Sequence, residues 1–295
     1  MAGERSVLDA MAHDLQLQRY ELKYLVPEDI ALGIRDFVRS FLEIDEFGAT
    51  LPNFSYPVHS LYLDSDDLTL YRHTINGDKN RFKLRLRYYE DRPDAPVFFE
   101  IKRRMNSIIM KQRGGVRREH VDALLAGQLP WPGIMLSNQP KQLVALQNFC
   151  RLMININAKP RTHIFYKREA WISPHDNSVR VTMDREVLAE SDLTARLETR
   201  MHDPALLFRN NVILELKFTN RFPDWFRDLV RVFGVMQCGA AKYADGVVAL
   251  GEDRLSRAFA FDVPTPSRNI SHSGNEAQGH VAHTAEGLTA EPLVK

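Results

Sequence analysis

The sequence predicts an α+β fold built on a largely antiparallel β-sheet or barrel. Three strand-like runs follow one another closely at 80–90, 96–104 and 107–118, and their short polar connections are typical of an antiparallel meander. Strands and helices otherwise occur in blocks, without the regular βαβ alternation of a parallel sheet. Several strands also pair an apolar face with a strongly basic one.

The remaining elements follow from hydrophobic periodicity and turn residues. Further strands are predicted at 19–26, 57–63, 161–172, 178–188 and 211–219. Helices are predicted at 28–42, 64–76, 119–127, 138–152, 223–233 and 240–251. Asp64 and its neighbours cap the second of these helices, and Gly114-Gly115 is interpreted as a bulge or turn between strands.

Composition divides the chain into three parts. Residues 1–18 form an N-terminal lead-in, and 19–255 contain the domain. Residues 264–295 are poor in large apolar side chains and rich in small and polar ones, so a disordered tail is predicted there. A chain of 295 residues is long enough to bury one sizeable core.

Charge and hydropathy exclude several classes of function. The net charge is +1, from 39 basic and 38 acidic residues, so bulk attraction to nucleic acid is not expected. No apolar run approaches the roughly 20 residues of a membrane span. Cys150 and Cys238 lack metal-binding spacing and fit a reduced protein. We therefore expect a cytoplasmic protein that binds no nucleic acid, and the sequence leaves its oligomeric state open.

Alternation along the strands concentrates charge on one face. Side chains two residues apart share a strand face, so Lys83, Arg85 and Arg87 lie together, opposite apolar residues. Four more strands show the same pattern, with these charged residues: Arg19, Glu21, Lys23, Glu100, Lys102, Arg104, Arg180, Asp184, Glu215 and Lys217. One such strand is usually half-buried with its polar side in water. Five of them, with helices to cover the apolar faces, favour a barrel with a charged interior.

Such an interior requires an anionic ligand. Two like charges about 6 Å apart repel by roughly 3 kcal/mol at an effective dielectric constant near 20. Phosphate suits the interior, because Arg donates in pairs and Lys supplies a mobile point charge. Ion pairing is the simplest role for the acids, but Mg²⁺ or Mn²⁺ often accompanies phosphate. Glu215, on an apolar strand, is the first choice of metal ligand.

Six short motifs, taken in order, resemble the VTC domain. This is the catalytic domain of vacuolar transporter chaperone polyphosphate polymerases, in the triphosphate tunnel metalloenzyme (CYTH-like) superfamily. The resemblance covers residues 19–252 and rests on Glu21-Leu22-Lys23, Lys83-Leu84-Arg85-Leu86-Arg87, Glu100-Ile101-Lys102, Tyr166-Lys167-Arg168, Val179-Arg180-Val181 and Leu214-Glu215-Leu216-Lys217.

The resemblance implies a fold, an activity and a set of site residues. The fold is an antiparallel β-barrel, the triphosphate tunnel, with helices packed on its outside. The activity is transfer of the ATP γ-phosphoryl group to a growing inorganic polyphosphate chain, with Mn²⁺ or Mg²⁺. Motif positions imply the following roles: catalysis by Arg85, Arg87, Lys102 and Lys242; substrate binding by Lys23, Lys83, Lys111, Arg168, Arg180 and Lys217; and metal binding by Glu215.

The sequence departs from the family pattern in two places, and these departures affect the predicted function differently. Arg19 replaces the first glutamate of the superfamily's ExExK motif, which disfavours a CYTH-type phosphatase. Gly239 and Ala241 stand where the polymerases carry a lysine and a serine, so activity is expected to be lower or the acceptor different. The alternatives are a metal-dependent tripolyphosphatase or NTP phosphohydrolase of the same fold, and a non-catalytic polyphosphate-binding module.

Overall fold

The computed structural model describes residues 19–106, 108–174, 178–219 and 221–256. The predicted lead-in at 1–18 and the predicted tail at 264–295 lie outside the described residues. Strands and helices fill most of the described chain, in the order strands, helices, strands, helices that the sequence predicts.

Antiparallel strands form the centre of the domain. They are β1 (Arg19–Val26), β2 (Glu43–Ile44), β3 (Ser55–Asp64), β4 (Asn80–Tyr88), β5 (Pro96–Met105), β6 (Ile108–Arg117), β7 (Lys159–Ile172), β8 (Val179–Ser191), β9 (Ala205–Leu206) and β10 (Val212–Thr219). The predicted strands are confirmed, some with extended ends. The two-residue strands β2 and β9 are too short to give a periodic pattern, and the sequence did not predict them.

The strand pairings run around a barrel. The order is β7-β3-β4-β5-β6-β1-β10-β8, and β7 also pairs with β8. β2 and β9 extend the sheet beside β7 and β8. The seam between β6 and β1 is narrow, with Arg19 opposite Ile109 as its one residue pair in the described strands, so the barrel stays open along most of this seam. The predicted α+β antiparallel barrel is therefore confirmed.

Helices follow the predicted positions with shifted ends. They are α1 (Glu28–Val38), α2 (Thr69–Ile75), α3 (Val121–Leu125), α4 (Pro140–Asn155), α5 (Asp224–Val232), α6 (Lys242–Leu250) and α7 (Glu252–Leu255). Asp64 acts at the start of α2 as expected, since its buried carboxylate accepts the backbone N–H groups of Leu70 and Tyr71 at 2.8 and 2.9 Å. Those groups have no partner within the first turn of the helix.

The helices cover the apolar faces of the strands from outside. Leu146 and Phe149 of α4 share a buried cluster with Leu84, Leu86 and Phe99 of β4 and β5. Equivalent clusters join α1 and α5 to β10 and β1, and α6 to β7 and β8. Full burial of each large apolar side chain contributes about 1.5–3 kcal/mol. The opposite, charged faces of the strands are therefore directed into the barrel.

Gly114 and Gly115 correct one sequence interpretation. Both lie inside β6, opposite Phe99 and Phe98, and the register of β5 with β6 passes through them without interruption. They form neither a bulge nor a turn. A Cβ atom at position 114 would lie 2.8 Å from the Gln142 carbonyl oxygen of α4. Glycine is needed because α4 crosses β6 at this close distance.

Candidate functional site

The barrel interior contains a cavity of about 1420 Å³. The side chains that the sequence assigned to the site all line it: Lys23, Lys83, Arg85, Arg87, Lys102, Lys111, Arg168, Arg180, Glu215, Lys217 and Lys242. Strand alternation explains this, because Leu84, Leu86, Leu214 and Leu216 are buried under the helices and their neighbours must face inward. The structure thus places these side chains at the cavity, and the functional role of each one stays a prediction.

Four basic side chains surround the buried carboxylate of Glu100. Its nearest nitrogen distances are 2.6 Å to Arg85, 2.7 Å to Lys111, 3.0 Å to Arg113 and 3.9 Å to Arg87. Burial alone would raise the pKa of Glu100, but these positive charges outweigh it and hold the pKa well below its usual value. We call these five residues the Glu100 cluster.

A second carboxylate, Glu215, is surrounded in the same way. Its oxygens lie 2.5 Å from the Lys217 ammonium, 3.4 Å from those of Lys23 and Lys242, and 3.5 Å from the Arg168 guanidinium. Burial opposes ionisation, but the four cations hold the pKa of Glu215 well below its usual value. We call these five residues the Glu215 cluster.

Asp184 and Glu21 are the other carboxylates that pair with these cations. Asp184 accepts two hydrogen bonds of 2.7 Å from Arg168 and lies 2.6 Å from the Lys242 ammonium. Glu21 lies 2.9 Å from the Lys102 ammonium. Lys83, the two clusters and these pairs together comprise ten basic side chains and four carboxylates. This group of residues therefore has a formal excess of six positive charges.

Lys83 and one donor group of Arg87 lack a hydrogen-bond or carboxylate partner within the described chain. Among the described residues, Lys83 has no carboxylate partner. Burial, together with the charges of Lys23 and Lys102, lowers the pKa of Lys83 to about 8. The Nε–H of Arg87 is buried and has no hydrogen-bond partner within the described chain. Buried donors are nearly always paired in native proteins, so these groups are free to bind an anion.

The first turn of α6 is fixed against the barrel. Tyr243 donates a hydrogen bond of 2.7 Å to the Asp64 carboxylate, and the Lys23 ammonium donates one of 2.7 Å to the Ala240 carbonyl. These bonds hold Lys242 toward Asp184 and Glu215. Burial opposes its charge, but those carboxylates outweigh burial and raise the pKa of Lys242 above its ordinary value. Lys242 therefore stays positively charged.

Sequence comparison agrees with this geometry. The sequence profile of the VTC domain matches residues 18–250. The chain belongs to the VTC domain family. Its relatives include subunit 4 of the vacuolar transporter chaperone complex of Schizosaccharomyces pombe, which is 24% identical over 277 residues, covering 81% of this chain and 38% of the relative.

Two other similar proteins give weaker matches. Subunit 2 of the same complex from S. pombe is 22% identical over 231 residues, covering 66% of this chain and 31% of the relative. This chain thus spans about a third of the length of either curated relative. Among solved structures, the PH1819 protein of Pyrococcus horikoshii OT3 superposes with a TM-score of 0.41 at 13% identity, covering 79% of this chain and 99% of that one.

The structure adds details at three positions of the VTC domain that were not predicted from the sequence. Arg180 lines the cavity but pairs with Asp45 at 2.7 Å and belongs to neither cluster. Arg113 belongs to the Glu100 cluster although the sequence did not assign it to the site. It lies two residues after Lys111 on β6, so the same alternation rule would have identified it. Gly239 lines the cavity, and a Cβ atom there would meet open space.

The donor set of the VTC domain suits a metal that is held mainly by phosphate. Among the described residues, no group of three or more His, Cys, Asp or Glu side chains converges on one point. Glu215 is nonetheless ionised and lies beside the space for an anion. Mg²⁺ commonly takes one or two carboxylates and draws its other ligands from phosphate and water, so Glu215 fits that role.

The length and apolar character of the helices determine whether any of them could cross a membrane. Within the described ranges, each helix falls short of the length and apolar character that crossing a bilayer needs.

Titration of Lys83 gives a first prediction. Its ammonium is protonated below pH 8 and attracts an anion, whereas above pH 8 it loses this charge. We expect the Kd for tripolyphosphate, measured by calorimetry from pH 7 to 9.5, to rise by up to about tenfold per pH unit above 8 for this group.

The matched control is Lys83→Arg, because arginine stays charged throughout this range. This variant should bind as tightly at pH 7 and show a flatter rise in Kd above pH 8. An identical slope in both proteins would show that Lys83 does not face the anion.

Proposed function

We propose that this VTC domain is a polyphosphate polymerase that transfers the γ-phosphoryl group of ATP to a growing inorganic polyphosphate chain inside the basic cavity. The observation that carries this proposal is the formal excess of six positive charges in the two clusters, their neighbouring pairs and Lys83, which has no carboxylate partner among the described residues. Nucleoside triphosphate and polyphosphate are the partners that this charge fits. Cys150 and Cys238 are both free thiols, in keeping with the cytoplasmic location that we also propose.

The reaction requires positioning and charge stabilisation rather than a nucleophile from the protein. A terminal phosphate oxygen of the chain attacks the γ-phosphorus of ATP. The bond from that phosphorus to the bridging oxygen of the β-phosphate breaks, and ADP leaves. The chain grows by one phosphate, and no water is consumed.

The cations of the site fall into two groups in this proposal. Arg85, Arg87 and Lys102 bind the transferred triphosphate and stabilise the charge that develops on its oxygens. Arg168 and Arg180 extend this contact along the phosphates. The acceptor chain and the leaving oxygen are guided by the lysines of the site, Lys23, Lys83, Lys111, Lys217 and Lys242.

The carboxylates keep the empty cavity stable. Without ligand, Glu100 and Glu215 each offset part of the charge of four neighbouring cations. Phosphate oxygens would then exchange for carboxylate oxygens around the same nitrogens. Such an exchange costs little reorganisation, because the cations are already held in place by the strands.

A divalent cation, Mn²⁺ or Mg²⁺, would supply neutralisation of the phosphate charge. Glu215 would hold it, and Lys217 would then lose its 2.5 Å contact and turn toward phosphate.

Two other functions fit the same cavity. With water as the acceptor, the domain would be a tripolyphosphatase or NTP phosphohydrolase. With no turnover, it would be a polyphosphate-binding module, an alternative that rests on Gly239 and Ala241. Both residues line the cavity close to Lys242, at positions where the family polymerases have a lysine and a serine.

The direct test is chain synthesis. Purified protein with ATP and Mn²⁺ should form polyphosphate that is visible on a gel, with little free phosphate in a parallel release assay. Arg85→Ala with Arg87→Ala should lower the rate by at least about 100-fold, because two charge-stabilising donors are lost.

A matched control is Arg221→Ala with Arg227→Ala, which removes two arginines with side chains 85% and 70% exposed. This control should keep the full rate. Full activity in the Arg85/Arg87 variant would refute the assignment. Phosphate release without chain growth would support hydrolysis, and tight binding without turnover would support the binding module.

Metal use gives another prediction. Glu215→Gln should raise the Mn²⁺ concentration for half-maximal activity by about tenfold or more, since a metal ligand is lost. Electron paramagnetic resonance of Mn²⁺ bound with a non-hydrolysable ATP analogue provides a readout independent of turnover. Glu186→Gln, which changes an exposed carboxylate outside the cavity lining, serves as the control and should leave the Mn²⁺ requirement unchanged. Equal Mn²⁺ affinity in the Glu215→Gln protein would exclude Glu215 as a ligand.

A further inference from the structure

Four aromatic rings line one end of the cavity. They are Phe47, Tyr56, Tyr89 and Phe98, which come from the turn after β2, the start of β3, the residue after β4 and the start of β5. Successive ring centroids lie 6.0, 6.4 and 6.3 Å apart. We call these four residues the aromatic mouth.

Phe47 is exposed yet held in place. Its side chain is 66% exposed. Its backbone N–H donates a 3.0 Å hydrogen bond to the Asp45 carboxylate, and the N–H groups of Gly48 and Ala49 donate to the Asp45 carbonyl. The other carboxylate oxygen of Asp45 accepts a 2.7 Å bond from Arg180. The turn therefore presents a large aromatic face at the cavity without burying it.

Arg113 connects the aromatic mouth to the Glu100 cluster. Its guanidinium lies 3.8 Å from the centroid of the Phe98 ring and donates a 3.4 Å hydrogen bond to the Tyr89 hydroxyl. The same guanidinium lies 3.0 Å from Glu100. Burial would raise the pKa of Tyr89, but Arg87 and Arg113 outweigh burial and lower it. An aromatic surface thus adjoins the phosphate-binding cations directly.

This juxtaposition fits one class of ligand, which has an aromatic plane at one end and a polyphosphate at the other. We propose that the aromatic mouth stacks on the base of a nucleoside triphosphate. The nucleotide then enters with its base at Phe47 and its phosphates directed toward the Glu100 cluster. This inference rests on the proposed use of a nucleoside triphosphate as the donor.

Stacking has a measurable consequence. Removing one stacking ring typically weakens binding of a base by about 5- to 100-fold. Inorganic tripolyphosphate has no base, so it should be unaffected. Tripolyphosphate also carries more negative charge than ATP, so the Kd values of the two ligands are not compared with each other. The test is how much the Kd of each ligand changes when the ring is removed.

The experiment measures the Kd of ATP and of tripolyphosphate by calorimetry, without metal, for the unsubstituted protein and for Phe47→Ala. We expect the Kd of ATP to rise by about 5-fold or more and the Kd of tripolyphosphate to stay the same. Phe47→Trp should restore or strengthen ATP binding, because its ring is larger. Phe41→Ala, which removes an exposed ring outside the cavity lining, should change neither affinity.

The outcomes separate this inference from the proposed function. Equal effects of Phe47→Ala on both ligands, or no effect on either, would overturn the stacking site while leaving phosphate binding intact. A selective loss of ATP affinity in a protein that makes no polyphosphate would support the base site and refute the polymerase. Failure of both ligands to bind would refute both proposals.

Discussion

Crowding of positive charge inside the barrel is the constraint on which the rest of the structure depends. The two clusters, their neighbouring pairs and Lys83 place ten basic side chains and four carboxylates in and around a cavity of about 1420 Å³. Repulsion between neighbouring cations costs roughly 3 kcal/mol for each close pair. Glu100 and Glu215 relieve this cost locally, since each lies within 4 Å of four cations. We propose that a phosphate chain balances the remaining charge. The stability of the empty domain and the phosphate binding that we propose for it are thus two results of one charge arrangement.

The outer packing makes this arrangement possible. Strand alternation can direct cations inward only if the opposite faces are buried, and α1, α4, α5 and α6 provide that burial. Asp64 joins two of the outer helices. Its buried carboxylate accepts hydrogen bonds from the start of α2 and from Tyr243, which lies in the first turn of α6 next to Lys242. Lys242 is therefore positioned by the buried hydrogen bond from Tyr243 to Asp64.

Much of this could be predicted from sequence, for a specific reason. In β4 and four other strands the alternation of charged with apolar residues determines the inward face. The resemblance to the VTC domain added Lys111, Arg168 and Lys242. The other features of the site depend on distances between segments that are far apart in the chain, and a sequence pattern does not reveal such distances. Gly114 is required by the approach of α4, the Arg180 contact with Asp45 joins distant segments, and the exposed ring of Phe47 is set by a turn after a two-residue strand. Strand alternation also predicts that Arg113 faces inward with Lys111, although Arg113 was not assigned to the site from the sequence.

The most direct measurement is a crystal structure of the domain with a non-hydrolysable ATP analogue and Mn²⁺. We expect one triphosphate chain inside the barrel, with its oxygens bound by Arg85, Arg87 and Lys83, and with cations of the Glu100 cluster turned from carboxylate to phosphate. A nucleotide bound on the outer surface, with every ion pair of the Glu100 and Glu215 clusters unchanged, would contradict the claim that the excess charge of the cavity exists to bind a phosphate chain.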